Sequence, residues 1–213
     1  MSVVERVRRT LLRETAHQVI RDAIVRGDLA PGRVVRDADL AEELGLSRAP
    51  VRDALARLAD EGLIETKPQS HTRVTPLLSR DVRDAAAVVR AMHELAARTA
   101  VPVLSDADCD AMAAADERFA AATRAGDVDE ALRADDELHD VLVRACGNRA
   151  VAATIERHTP LIRRLERLRF SAEAGQQSVG MHERLIDACR ARDAASATDV
   201  TTEIWQELED LAD

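Results

Sequence analysis

The stretch Leu40-Ala41-Glu42-Glu43-Leu44-Gly45-Leu46-Ser47-Arg48-Ala49-Pro50-Val51-Arg52-Asp53-Ala54-Leu55 reads as helix, tight turn, helix. Gly45 stops a short helix around residues 39–44, and Ser47 stands where it can N-cap the next one. Pro50 falls in the first turn of that second helix, where its missing N–H costs little. On a helical wheel Val51, Ala54, Leu55 and Leu58 share one face, while Arg48, Arg52, Ala49 and Ala56 share another roughly a third of a turn away. One face is core; the other is small and cationic.

Working outward, Ala16, Val19, Ile20, Ala23 and Ile24 form the stripe of an amphipathic helix that Gly27 ends, and Pro31-Gly32 makes a turn. After Gly62, the strand-like runs 63–66 and 72–75, joined by Lys67-Pro68-Gln69-Ser70-His71, read as a β-hairpin wing. From Ser79 onward the pattern is helix after helix, with boundaries expected at Pro102, Gly126, Gly147-Asn148 and Gly175. The fold class is therefore mainly α. A winged helix-turn-helix of three helices plus a hairpin occupies residues 1–78, and an all-α bundle of six or seven helices occupies residues 79–213. Segment 75–79 is the expected linker.

Composition agrees. The chain has 213 residues, 46% hydrophobic and 32% charged, enough to bury a core. Only Phe119, Phe170 and Trp205 are aromatic and Tyr is absent, which argues against a β-sandwich or barrel. No apolar stretch approaches the ~20 residues of a membrane helix, and the Arg-studded N-terminus has no signal core, so a cytoplasmic protein without membrane contact is expected. Cys109, Cys146 and Cys189 are odd in number and lack CxxC spacing, which leaves no disulfide framework. The net charge of −9 hides a division: residues 1–76 sum to +1 and the remainder to −10, so any DNA-binding surface is local.

Two short helices around a tight turn, the second with arginines on its outer face, match the geometry that sets a recognition helix in a DNA major groove. The run Gly27-Asp28-Leu29-Ala30-Pro31-Gly32, the stretch 40–55, Leu58 and Glu61-Gly62-Leu63-Ile64 closely resemble the GntR family of bacterial transcription regulators. The resemblance implies that Arg48 and Arg52 contact bases or phosphates, that Ser47 contacts the backbone, and that wing residues His71, Thr72 and Arg73 approach the minor groove. Arginine suits the role because its fork pairs with guanine O6 and N7. Ala38 stands where many relatives carry an Arg, which Arg36 would replace, and His71 stands where the wing usually has Gly.

Residues 79–213 resemble the FCD domain, the helical effector domain of the FadR-like subfamily, through Asp135-Asp136-Glu137-Leu138-His139, Gly147-Asn148 and Met181-His182-Glu183-Arg184-Leu185-Ile186. Independently of the resemblance, Val128, Leu132, Asp135, Leu138, His139, Leu142 and Cys146 share a helical stripe, and His182 falls among Leu185, Ile186 and Cys189. Asp135 and His139 thus point inward, where an unpaired carboxylate is costly. Three such groups suit a divalent cation, zinc, nickel or manganese. The alternative is that Asp135 and His139 bond one another and His182 is a satisfied core histidine. Relatives usually supply another histidine near the end of the last helix, where this chain reads Glu203-Ile204-Trp205-Gln206; water or the effector would fill that position, or the pocket works without metal.

Arg90 matches an Arg that often lines the effector pocket in the family, although an i, i+4 pair with Glu94 fits equally well. Asn148, Arg163 and Arg164 are further candidates for effector contacts, the arginines as bidentate anchors for a carboxylate. His17, His93 and His158 show no partner pattern and are expected to be structural or surface residues. The whole reads as a ligand-responsive transcription regulator, a repressor acting as a homodimer on a pseudo-palindromic operator, since two half-sites multiply the limited specificity of one reader. The alternative is a metal-dependent helical phosphohydrolase, suggested by the His139-Asp140 dipeptide.

Overall fold

Apolar spacing assembles the first unit. The computed structural model describes residues 9–67, 70–170 and 172–210, and the chain divides into two units, Met1–Leu77 and Leu78–Asp213. Helix α1, Arg9–Arg26, buries Ala16, Ile20 and Ile24, four residues apart on one face. The buried stripe is narrower than the sequence pattern, because Val19 is exposed and Ala23 only half-buried. Helix α2, Asp37–Glu43, and helix α3, Arg48–Asp60, enclose the turn. There Gly45 takes a left-handed φ of 64°, a conformation that a Cβ disfavours. Val51, Ala54, Leu55 and Leu58 of α3 are buried as the periodicity requires.

The wing differs in one respect from the expected two-stranded hairpin. Strands β2, Ile64–Lys67, and β3, His71–Val74, pair antiparallel with Glu65 opposite Arg73 and Thr66 opposite Thr72. A third strand, β1 at Val34–Val35, pairs antiparallel with the other edge of β3, giving the order β1-β3-β2. Two residues carry too little period-2 pattern to announce a strand, so only the pairing reveals it. Pro68 and Gln69 of the wing turn lie outside the described residues.

In the second unit the described residues form helices α4 (Ser79–Ala100), α5 (Asp106–Ala125), α6 (Val128–Cys146), α7 (Arg149–Arg169), α8 (Ala172–Arg190) and α9 (Ala194–Asp210). Polar caps begin four of them, Asp193 accepting from the Ala195 and Ser196 amides on α9. Ser105 and Asp108 form a reciprocal capping box on α5, Asp127 accepts from the Glu130 amide on α6, and Asn148 accepts from the Ala150 and Val151 amides on α7. The core includes Met112, Leu138, Leu142, Ile162 and Leu185, each almost wholly inaccessible and each worth about 1.5–3 kcal/mol on burial. Gly175 does not end a helix as its residue type suggests; it lies inside α8. A Cβ there would collide with Thr123 Cγ2, so this glycine permits close packing of α8 on α5. No helix among the described residues is long and apolar enough to cross a membrane.

Candidate DNA-reading surface and metal centre

The outer face of α3 carries Ser47, Arg48 and Arg52, all exposed. Ser47 occupies the N-cap position with extended backbone, yet its side chain makes no capping bond, so its hydroxyl stays free to meet another partner. Arg48 donates from Nη2 to Asp37 Oδ1 at 2.9 Å and from Nε to Oδ2 at 3.3 Å, and Arg52 Nε stands 4.0 Å from the same Oδ2. Hydrogen bonding from Arg48 holds the Asp37 carboxyl below the ordinary carboxylate range. Sequence reasoning passed over Asp37: it lies in the first turn of α2, eleven residues before Arg48, a separation that helical periodicity does not register. Arg36 is exposed, 4.0 Å from Asp39. On the wing, Arg73 is engaged by Glu65 across the strand pair, Thr72 Oγ1 lies 3.4 Å from Thr66 Oγ1, and His71 Nδ1 lies 3.0 Å from Ser70 Oγ.

In the helical unit, Asp135 and His139 on α6 and His182 on α8 come together, with one ligand atom from each lying within 4.8 Å of the others. His182 Nε2 is 3.2 Å and His139 Nε2 3.8 Å from Asp135 Oδ1. His182 Nδ1 meets Asp116 Oδ1 at 2.9 Å, while its buried Nε2 has no properly aligned hydrogen-bond partner. That arrangement suits a metal ligand: a carboxylate on one ring nitrogen fixes the tautomer and aims the other nitrogen's lone pair at the ion. Asp116 was not foreseen. It lies on the buried side of α5, remote in sequence from both histidine motifs.

Electrostatics prepare the same atoms. Burial opposes charge on Asp135, yet Arg163 and the neighbouring imidazoles hold it well below the usual carboxylate range. Burial lowers His139 to about 4 against the pull of Asp135, so its imidazole is neutral at physiological pH. Burial also works against charge on His182, but the facing carboxylates of Asp116 and Asp135 raise it to about 9. Without an ion His182 is an imidazolium between two carboxylates, and an ion bound there takes the place of the Nε2 proton.

The four residues expected to touch an effector are occupied elsewhere. Arg163 is buried and divided among Asp135, Asp136 at 2.6 Å and Glu166 at 2.7 Å, so its fork is engaged by the protein's own carboxylates. Arg90 donates to Glu209 at 2.8 Å and lies 3.8 Å from Glu94. Asn148 is a helix cap, and Arg164 is buried away from the cavity beside the cluster. That cavity, of about 350 Å³, is lined by Asp135, His139 and His182 together with Glu166, Arg169 and Trp205. Arg169 makes no ion pair among the described residues. Burial raises Glu166 to about 7, since one guanidinium does not neutralise three crowded carboxylates.

His93 is one of the three histidines for which the sequence showed no partner pattern. It is buried, stacked on Trp205 with ring centroids 4.6 Å apart, and edge-on to His139 at 5.7 Å. Burial and the adjacent His139 keep it well below the ordinary imidazole range, hence neutral.

A winged helix-turn-helix with an arginine-bearing recognition helix, followed by an all-α unit with an inward polar cluster, defines a DNA-binding regulator of transcription. The chain belongs to the bacterial GntR family: its FCD domain model matches residues 84–207, and the gntR family model of bacterial regulatory proteins matches residues 12–74. It is 30% identical over 202 residues to the uncharacterized HTH-type transcriptional regulator BphR of Paraburkholderia xenovorans, covering 88% of this chain and 79% of that protein. It is 23% identical over 193 residues to the HTH-type transcriptional repressor RspR of Escherichia coli, covering 90% and 85%. In fold it matches McbR/YncC of E. coli with a TM-score of 0.81 at 20% identity, covering 92% of this chain and 94% of that one. Family membership makes the chain a regulator and not an enzyme, which sets aside the phosphohydrolase alternative; Asp140 is also exposed on α6 while His139 is buried.

Proposed function

We propose that this regulator is a ligand-responsive repressor whose helical unit, residues 79–213, senses a small carboxylate through a divalent ion held by Asp135, His139 and His182. The observation that supports this most directly is His182, fully buried, with Nδ1 engaged by Asp116 and Nε2 left for an ion. The ion would supply a Lewis-acidic anchor for an effector oxygen. Asp135 and the two imidazoles would hold it, and Arg163 would fix the Asp135 carboxylate from behind. Arg169, at the cavity and without an ion pair among the described residues, takes the anchoring role first expected of Arg163 and Arg164.

Residues 1–78 read the operator, with Arg48 and Arg52 on base edges or phosphates, Ser47 on the backbone, Arg36 at the start of α2, and His71, Thr72 and Arg73 on the wing. Two copies bind a pseudo-palindrome as a homodimer in the cytoplasm. Regulation then requires the effector to favour one of two dimer states that differ in DNA affinity.

Elemental analysis of protein purified without chelator, beside His139→Ala, tests the metal assignment. Near-stoichiometric metal that the variant loses is the expected result, together with normal dimeric folding of the variant and loss of effector-induced release from DNA. Metal-free wild-type protein, or a variant that releases DNA normally, would overturn it.

A further inference from the structure

Helices α5 and α8 pack antiparallel with their facing pairs in register. Asp116 Oδ1 meets His182 Nδ1 at 2.9 Å, and two turns further along α5 and back along α8, Thr123 fills the space beside Gly175. Two turns, about 10.5 Å, return a helix to nearly the same face. The same step taken the other way from Asp116 and His182 reaches Cys109 and Cys189, so the register sets these cysteines opposite one another. Both are free thiols, buried in one apolar cluster. Arg192 ties them together: its Nη1 donates to Cys109 Sγ at 3.4 Å and to the Cys189 carbonyl at 2.8 Å, while Nη2 donates to Asp106 Oδ1 at 2.8 Å. Arg192 follows the end of α8 with a φ of 58°, the one non-glycine among the described residues with a positive φ. Glycine holds such a helix end at less cost, and an arginine there keeps a guanidinium on the sulfur.

We propose that Cys109 and Cys189 are a reversible redox pair, oxidised by hydrogen peroxide to a disulfide that joins α5 to α8. The pair stands independently of the metal reading. Cys109 attacks, because the guanidinium is placed to balance the charge of its thiolate. Its sulfur takes one peroxide oxygen, the O–O bond breaks, and a sulfenic acid and one water result. Cys189 then attacks the Cys109 sulfur: the S–O bond breaks, the S–S bond forms, and the departing hydroxide takes the Cys189 proton as a second water. Two electrons leave the sulfurs and reduce one peroxide. Burial first, and the facing Cys109 second, push the Cys189 thiol up to about 12, more than Arg192 offsets, which suits the partner that resolves over the one that attacks. Arg192 is also the way in. Its side chain is 32% exposed, so swinging it away uncovers Cys109 without unfolding either helix.

The test treats the full-length protein with hydrogen peroxide under native conditions and maps its peptides by mass spectrometry without reduction. A Cys109–Cys189 linked peptide is expected, with a fall from three free thiols to one, return of all three on adding dithiothreitol, and unchanged helix content by circular dichroism. Cys189→Ser should stop the reaction at a Cys109 sulfenic acid that dimedone labels, and Cys146→Ser should leave the link intact. Arg192→Gly, which suits the backbone there, should slow linkage by roughly tenfold, since thiolate availability sets the rate. Three thiols remaining after excess peroxide, or a link made through Cys146, would overturn the pair. Linkage that forms only once helix content is lost would overturn it too. An equal or faster rate in Arg192→Gly would overturn the part given to the guanidinium.

Discussion

Arg48 and Arg52 on the recognition helix share Asp37 while remaining 64% and 73% exposed; Arg163 in the helical unit is 7% exposed and faces Asp135, Asp136 and Glu166. The ion pairs look alike, but their surroundings give them different work. In water an exposed pair is worth about 0–1 kcal/mol, so a DNA phosphate or base edge can replace Asp37 at little cost. Out of water the charges depend on one another, because a buried charge left alone loses hydration that nothing restores. Exchangeable pairing suits a surface that must let go of its own carboxylate to take a nucleic acid. Fixed pairing suits a carboxylate that must stay aimed at one point.

Four substitutions sharpen this contrast. Arg163→Met removes the guanidinium that Asp135, Asp136 and Glu166 share and should cost the fold about 3–5 kcal/mol, read as a lower denaturant midpoint. A loss below 1 kcal/mol would mean that the two clusters are energetically alike. Arg52→Ala should weaken operator binding by about 1–3 kcal/mol in a gel-shift titration and leave thermal stability in place; unchanged affinity removes it from the reading set.

Glu166→Gln tests burial through pH. The folded-state value of about 7 lies above the ordinary 4.5, so the proton is held more tightly in the folded chain. The stability this gives is fully present below about pH 4.5 and is lost as pH rises through about 7. The variant should therefore gain on the wild type by about 2 kcal/mol between pH 5 and 8 in paired melting curves, whereas parallel curves would show that Glu166 is ionised throughout. Smallest of all, Asp37→Asn should change folding stability by no more than a few tenths of a kcal/mol, roughly the worth of an exposed pair. A shift above ~1 kcal/mol would place Asp37 with the buried class.

Much of the fold was legible in the sequence because periodicity and punctuation are local. Gly45 and the α3 stripe gave the helix-turn-helix, and Gly126, Gly147 and Asn148 gave helix ends that the backbone adopts. Gly175 misled because a glycine needed for close packing has the same residue type as one that ends a helix. The inward set of Asp135, His139 and His182 was legible for the same local reason, since a polar residue on an apolar stripe stands out against its neighbours. Arg163 was legible as an anion holder, and the structure sets the protein's own Asp135 and Asp136 carboxylates against it.

By itself the sequence determined the class of protein, the order of its elements and three of the polar groups in its centre, all of which depend on residues within a few turns of one another. Tertiary structure alone decided the rest: Asp116 on His182, Arg163 on Asp135, Asp37 between two arginines, and His93 against Trp205 beside His139. Each of these joins different helices, and helix periodicity fixes which way a side chain faces without fixing what another helix brings to meet it.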